Sequence, residues 1–285
     1  MSGDAFRRLL LVGDARKGGS EEIVQGHATW LRKRGVTVDV AVDRDEPLHD
    51  HEAEAVVVWG GDGSLISTAR RMGNHQRPTL GINRGRLGFL TAFEDEQSQE
   101  ALERLLAGQL VEESRLMFQC TVRSDDAETV EVIGLNDVVT SRAGAGTMII
   151  VRVRRGDAEL GTYRGDGVIA ATAIGSTAYS MAAGGPVVAP GLDALVLTPL
   201  ASHSLSARPL VLPFGSGIEI EVVEVGDMAH AYCIVDGQVQ TRVTIGTRIQ
   251  VRPAPVRFRH LVQGPTQFFQ VLVAKFGFAG MARSR

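Results

Sequence analysis

The chain has 285 residues, 44% of them apolar, and its 30 basic and 33 acidic side chains leave a formal charge of -3. That length and apolar content suit one large or two modest globular domains, and the near-neutral balance excludes a general electrostatic footprint for nucleic acid. The opening MSGDAFRRLLLVGD has too short an apolar run for a signal-peptide core, and no segment approaches the roughly 18 apolar residues of a membrane span. A cytoplasmic protein without membrane partners is expected. Cys120 and Cys233 lie in apolar, strand-like runs away from metal-ligand spacing, which points to buried reduced thiols.

Leu9 to Val12 reads as a strand ending in Gly13 and Asp14, after which Ile23, His27, Trp30 and Leu31 recur at helical spacing between a Ser20 cap and a Gly35 stop. Val36 to Val42, Ala55 to Trp59 and Thr79 to Ile82 follow as strands, with SLISTARRMG as a helix before the last. Short continuous Val and Leu runs separated by helices predict a parallel sheet covered on both faces. Ligands of such sheets bind beyond the carboxyl ends of the strands, where both GGDGS and GINRGRLGFL begin. Residues 96 to 112 predict a helix joining two halves, with Leu102, Leu105, Leu106 and Leu110 on one stripe.

From about residue 115 the chain turns to short runs rich in Val and Ile, separated by Gly, Asp and Pro, which predict a mostly antiparallel β structure. The last stretch, TQFFQVLVAKFGF, has no clear period; we read it as a helix returning to the first domain. The expected fold is therefore α/β. A Rossmann-like domain covers residues 1–97, a β-rich, β-sandwich-like domain covers 98–264, and 265–285 is the returning segment.

In VVVWGGDGSLIS, residues 56 to 67, a lone acid stands among glycines at the end of a strand. Gly60, Gly61 and Gly63 permit a tight turn with positive φ and close approach of the backbone to a ligand. Ser64, placed near a helix N-cap, adds first-turn amides suited to phosphate. Asp62 then offers a carboxylate beside that phosphate, as a general base for phosphoryl transfer requires. The alternative is that Asp62 merely supports a strand-to-helix turn. No Gly-Lys dipeptide, His-Arg-Asp run or G-x-G-x-x-G pattern occurs here, which excludes the P-loop, protein-kinase and dinucleotide-fingerprint readings.

Two further stretches carry polar groups in apolar or small-residue surroundings. In residues 162 to 188, Asp166 stands between glycines after Arg164, and Gly175, Ser176, Thr177, Ala178 and Tyr179 form a small polar run ending in a ring. Such a run could contact a nucleoside or simply be a loop and a small-residue helix. In GLNDVV, Asn136 and Asp137 interrupt a strand-like run and need partners, either a sugar's hydroxyls or the groups of a β-bulge.

The order GGDGS, GINRGRLGFLT, LNDVV, GDG with GSTAYSMAAGGPVVAP, HSLSARPLVLP and VDGQ resembles the NAD kinase family from Gly60 to Gln238. GGDG alone is shared with lipid kinases and phosphofructokinases; six ordered motifs are specific. The resemblance implies that Asp62 is the general base acting on the adenosine-ribose 2'-hydroxyl of NAD, with Gly60, Gly61, Gly63 and Ser64 meeting the donor phosphates. It implies that Asn136 and Asp137 contact the dinucleotide, that Asp166, Ser176, Thr177, Ala178 and Tyr179 form the nucleoside wall, and that Arg164 and Gln238 take part in binding. A site between the two domains, ATP or polyphosphate as donor, a divalent metal such as Mg2+ with ligands unknown, and a homo-oligomer (dimer or tetramer) are implied too. Two departures stand out. Ala173 and Ile174 follow Thr172 where the family has Pro-Thr, and Leu200, Ala201 and Ser202 precede the histidine motif where it commonly has Cys-Pro. The alternatives are a lipid or sugar kinase of the wider group and a non-catalytic dinucleotide sensor.

Overall fold

The computed structural model describes residues 6–16, 18–85, 88–124, 127–144, 148–204, 206–226 and 230–277. Arg86 and Leu87 of GINRGRLGFLT, Leu205 of HSLSARPLVLP and the end of the returning segment, 278–285, lie outside the described residues. The chain divides into two compact units, residues 1–114 with 258–285, and residues 115–257. Among the described residues no helix is long and apolar enough to cross a membrane.

The first unit opens with β1 (Arg8–Val12), α1 (Ser20–Arg32), β2 (Thr37–Ala41), β3 (Ala55–Trp59), α2 (Asp62–Met72), β4 (Thr79–Asn83), β5 (Phe93–Glu94) and α3 (Ser98–Leu106). β1 pairs in parallel with β2 and β3, and β3 with β4. β3 is buried at every position, as a strand covered on both faces must be. Leu9, Leu11, Val57, Trp59, Leu80 and Ile82 pack on one face against Val24, Ala28 and Leu31 of α1 and Leu102 and Leu105 of α3. Gly19, not Ser20, precedes α1 in the left-handed conformation (φ 72), and Ser20 Oγ instead accepts a hydrogen bond from the Asp14 amide.

The helix expected over 96–112 is shorter. A 3-10 turn at Asp95–Gln97, closed by a reciprocal Glu94–Gln97 capping box, leads into α3. Gly108 (φ 64) then breaks the chain direction, and a strand begins at Val111, so Leu110 joins the core from outside the helix. The apolar period continued through this turn because Leu110 serves the same core.

The remaining strands are β6 (Val111–Ser124), β7 (Ala127–Gly134), β8 (Asp137–Arg142), β9 (Ile149–Arg155), β10 (Ala158–Gly165) and β11 (Gly167–Thr172), followed by the single turn α4 (Tyr179–Ala182). Then come β12 (Ala194–Leu200), β13 (Leu210–Pro213), β14 (Ile218–Glu224), β15 (Ala231–Val235), β16 (Val239–Val243), β17 (Arg248–Val262) and α5 (Gln267–Phe276). In the second unit an antiparallel sheet ordered β13-β12-β11-β8-β15-β16 faces strands β10-β9-β14-β17 with β6 and β7. Val138, Val168 and Leu197 from the first meet Phe118, Val151 and Ile220 from the second in one core, the sandwich arrangement. Cys120 and Cys233 meet there too, both buried and unbridged, with sulfurs 3.9 Å apart. The final residues of β17 pair in parallel with β4, and α5, a helix as read, belongs to the first unit.

Candidate active site

In the first unit the acid singled out by the sequence stands just beyond the carboxyl end of β3. α2 begins at Asp62 itself, two residues earlier than the sequence suggested, with Gly61 as its N-cap and Ser64 as its third residue. Leu65, Ile66, Ala69 and Met72 at helical spacing bury its inner side, and an acid in the first turn suits the positive end of the helix. Gly60, Gly61 and Gly63 all keep φ negative, contrary to the expected left-handed turn. At Gly61 a Cβ would meet nothing within 4 Å, so the space beside the backbone there is open to a ligand.

Asp62 is held on both oxygens. Oδ2 accepts the Phe89 amide at 2.8 Å and Oδ1 the Leu90 amide at 2.9 Å. A Cβ on Gly88 would collide with Asp62 Oδ1, so the approach of this loop depends on that glycine. The loop is tied down from the C-terminal end of the chain. Buried His260 donates from Nε2 to the Leu90 carbonyl at 2.8 Å, Gln263 bonds the Ala92 carbonyl, and Gln267 Nε2 bonds the Thr91 carbonyl at 3.2 Å. A carboxylate has about four acceptor positions, so a fixed Asp62 retains capacity for a substrate proton.

In the second unit a cavity of about 400 Å³ is lined by Asn136, Asp137, Ser141, Ala178, Tyr179 and Asp236. Asp236, which sequence reasoning passed over, organises it. Its carboxylate accepts the amides of Leu135 (2.9 Å), Asn136 (2.7 Å) and Asp137 (3.2 Å), while its own amide donates to the Asp137 carbonyl at 2.9 Å. The signal was present in VDGQ: an Asp before Gly between strand-like runs is a turn former that bonds backbone, and Asp236 adopts φ 52. Asp137 is 4% exposed. Burial first, and the neighbouring Asp236 charge second, push its carboxyl up to about 7. Asn136 lines the cavity, and its Oδ1 is buried with no hydrogen-bond donor.

Gly175 lies against Asn136 so closely that a Cβ would overlap the Asn136 carbonyl oxygen. Ser176 is fully buried; its Oγ donates to the Ala173 carbonyl at 2.6 Å and accepts the Val188 amide at 2.9 Å. Thr177 Oγ1 donates to the Ile174 carbonyl at 3.1 Å. Both hydroxyls thus brace the turn that presents Ala178 and the half-exposed Tyr179. Ala173 and Ile174, the departure from the family pattern, are buried apolar residues, while Thr172 Oγ1 donates to the Leu135 carbonyl at 2.6 Å. Asp166 pairs with Arg142 at 2.5 Å, a partner not foreseen. Arg164 is exposed on β10, and the Gln238 amide closes the Asp236 turn on the Val235 carbonyl at 2.9 Å.

The family model of the ATP-NAD kinase N-terminal domain matches residues 24–110, and that of the ATP-NAD kinase C-terminal domain matches residues 135–262. An NAD kinase of Heliobacterium modesticaldum is 38% identical over 264 residues, covering 89% of this chain and 93% of its own, and one of Bordetella avium is 36% identical over 287 residues, covering 95% of each. A solved NAD kinase of Archaeoglobus fulgidus in complex with ATP superposes with a TM-score of 0.76 at 26% identity, covering 93% of this chain and 97% of its own. Yeast NADH kinase complexed with NADH shares the fold, with a TM-score of 0.88 at 22% identity over 99% of this chain and 91% of its own.

Proposed function

The chain belongs to the NAD kinase family and is a phosphotransferase, and from that premise we propose that it transfers the terminal phosphoryl group of ATP to the adenosine-ribose 2'-hydroxyl of NAD, giving NADP and ADP. The observation that carries the reading is the fixing of Asp62 by the Phe89 and Leu90 amides at the open glycine turn. A base held on two amides keeps its orientation as it takes the hydroxyl proton while the oxygen attacks phosphorus. The glycine turn and first-turn amides of α2 meet the donor phosphates.

The acceptor dinucleotide is assigned to the cavity of the second unit. Asn136 Oδ1 offers an acceptor to a base amine or ribose hydroxyl, Tyr179 a ring face, and Asp137, neutral below about pH 7, a hydrogen-bond donor rather than a second negative charge. Arg142 orients Asp166 by the 2.5 Å pair. Among the described residues no group of three or more His, Cys, Asp or Glu is placed to hold a metal ion. Magnesium enters this reading as part of the MgATP substrate, since it often binds through phosphate oxygens with few protein ligands.

The test is NADP formation from NAD and MgATP by wild type and Asp62→Asn, with polyphosphate replacing ATP in parallel. Loss of at least about a hundredfold in the variant, with its melting temperature within a few degrees of wild type, is expected for a general base. An active Asp62→Asn enzyme would end the assigned role, and NAD binding without product from any donor would favour a sensor.

A further inference from the structure

The Phe89 amide is one of the two that hold Asp62, and the ring of the same residue meets α5. Its centroid lies 5.7 Å from that of Phe268 and 5.9 Å from that of Phe276, the second pair stacked at 26°. Lys275 Nζ stands 4.9 Å from the centre of the same ring, within the reach of a cation–π contact. Phe268, Leu272 and Phe276 recur at i, i+4 and i+8, one stripe of the helix. Val271 and Leu272 are buried and seat α5 in the first unit, so the rings on its stripe have a fixed base.

What flanks Phe89 gives this contact its weight. From Leu90 onward the loop is held by its carbonyls, which accept from His260, Gln267 and Gln263. Those bonds lie on the far side of Phe89 from the peptide that carries its amide. On the near side stands Gly88, which offers no side chain as an anchor and has no room for one, because a Cβ there would collide with Asp62. The direction of the Phe89 N–H therefore depends on where the Phe89 Cα is held, and the ring is the lever that holds it. One aromatic pair is worth a factor of roughly two to ten in such an equilibrium.

We propose that α5 is a positioning element for the general base: Phe268, Lys275 and Phe276 grip the Phe89 ring and thereby keep its amide on Asp62 Oδ2. The role rests on the kinase reading above. None of the three residues is assigned a contact with substrate; they act through Phe89. Loosening the grip lets the amide swing and Asp62 turn, so the carboxylate spends less time aligned with the hydroxyl whose proton it takes. Such a loss falls on the chemical step rather than on binding.

Phe276 is 45% exposed and is the last residue of α5, so Phe276→Ala opens little of the core. It should lower kcat for NADP formation about tenfold, the upper end for one aromatic pair, with KM for NAD and MgATP within about twofold of wild type. Phe276→Tyr, which keeps the ring, should retain the wild-type kcat. In the Asp62→Asn background the alanine replacement should change kcat by less than about twofold, since the group it positions has gone. A general packing defect would lower both backgrounds by the same factor. Hydrogen exchange at the Phe89 amide reads the grip without turnover: Phe276→Ala should speed it about tenfold and leave the β3 amides unchanged. An unchanged kcat, an equal loss in both backgrounds, or unchanged exchange at Phe89 overturns the positioning role while leaving NADP formation intact. A fully active Asp62→Asn enzyme overturns the general base itself, a failure read before any α5 variant is made. Should no NADP form with any donor, the exchange rate alone decides whether α5 holds this amide.

Discussion

Asp137→Asn separates shape from charge in the acceptor cavity. In the folded chain the carboxyl is 4% exposed, faces the Asp236 carboxylate, and is pushed from 3.8 up to about 7, by burial more than by that charge. The folded state therefore keeps a proton that the unfolded chain has already lost. The stability this contributes is full below about pH 4, falls as pH rises, and is gone above about pH 7. At 1.36 kcal/mol per pH unit the whole penalty is roughly 4 kcal/mol, of which roughly 3 kcal/mol develops between pH 5 and pH 8. Asn has the same shape and never ionises. The variant's stability relative to wild type should thus improve by about that 3 kcal/mol across the interval, whatever the constant offset of the substitution. Calorimetric melting at pH 5, 6, 7 and 8 would show it as a gap widening by roughly 6–12 °C, at about 2–4 °C per kcal/mol. A gap that changes by less than about 1 kcal/mol over the interval would mean that Asp137 ionises freely and that the cavity wall is not neutral at this position.

Two other substitutions probe the Asp62 turn of the first unit and the cavity of the second. Gly88→Ala places a methyl against Asp62 Oδ1; it should cut kcat about a hundredfold, the scale of a misplacement near 1 Å, with the calorimetric affinity for NAD unchanged. Tyr179→Ala removes a ring that is 50% exposed and lines the acceptor cavity; KM for NAD should rise about tenfold, the range of base–aromatic stacking, with the melting temperature held, and an unchanged KM would remove Tyr179 from the nucleoside wall.

The sequence by itself determined what is local. A continuous run such as Val56 to Trp59 suits a strand buried on both faces, as in a covered parallel sheet, and the strand ended where it was read, at Trp59. The strand-rich second half, the acid at a strand end and the six ordered motifs were equally legible, because each depends on residue type and spacing along the chain. Helix ends were less so: Gly61 rather than Ser64 caps α2, and Gly108 stops α3 short of Leu110, since a core accepts an apolar side chain from helix and turn alike. What only the tertiary structure decided are bonds between segments distant in the chain. The Asp236 carboxylate grips the amides of residues 135–137, about a hundred positions earlier. His260 and Gln267 hold the loop that fixes Asp62, and Arg142 meets Asp166. Backbone amides and carbonyls are the partners in most of these contacts. Every residue carries the same amide and carbonyl, so the sequence has no letter for them; the fold alone chooses which side chain meets which.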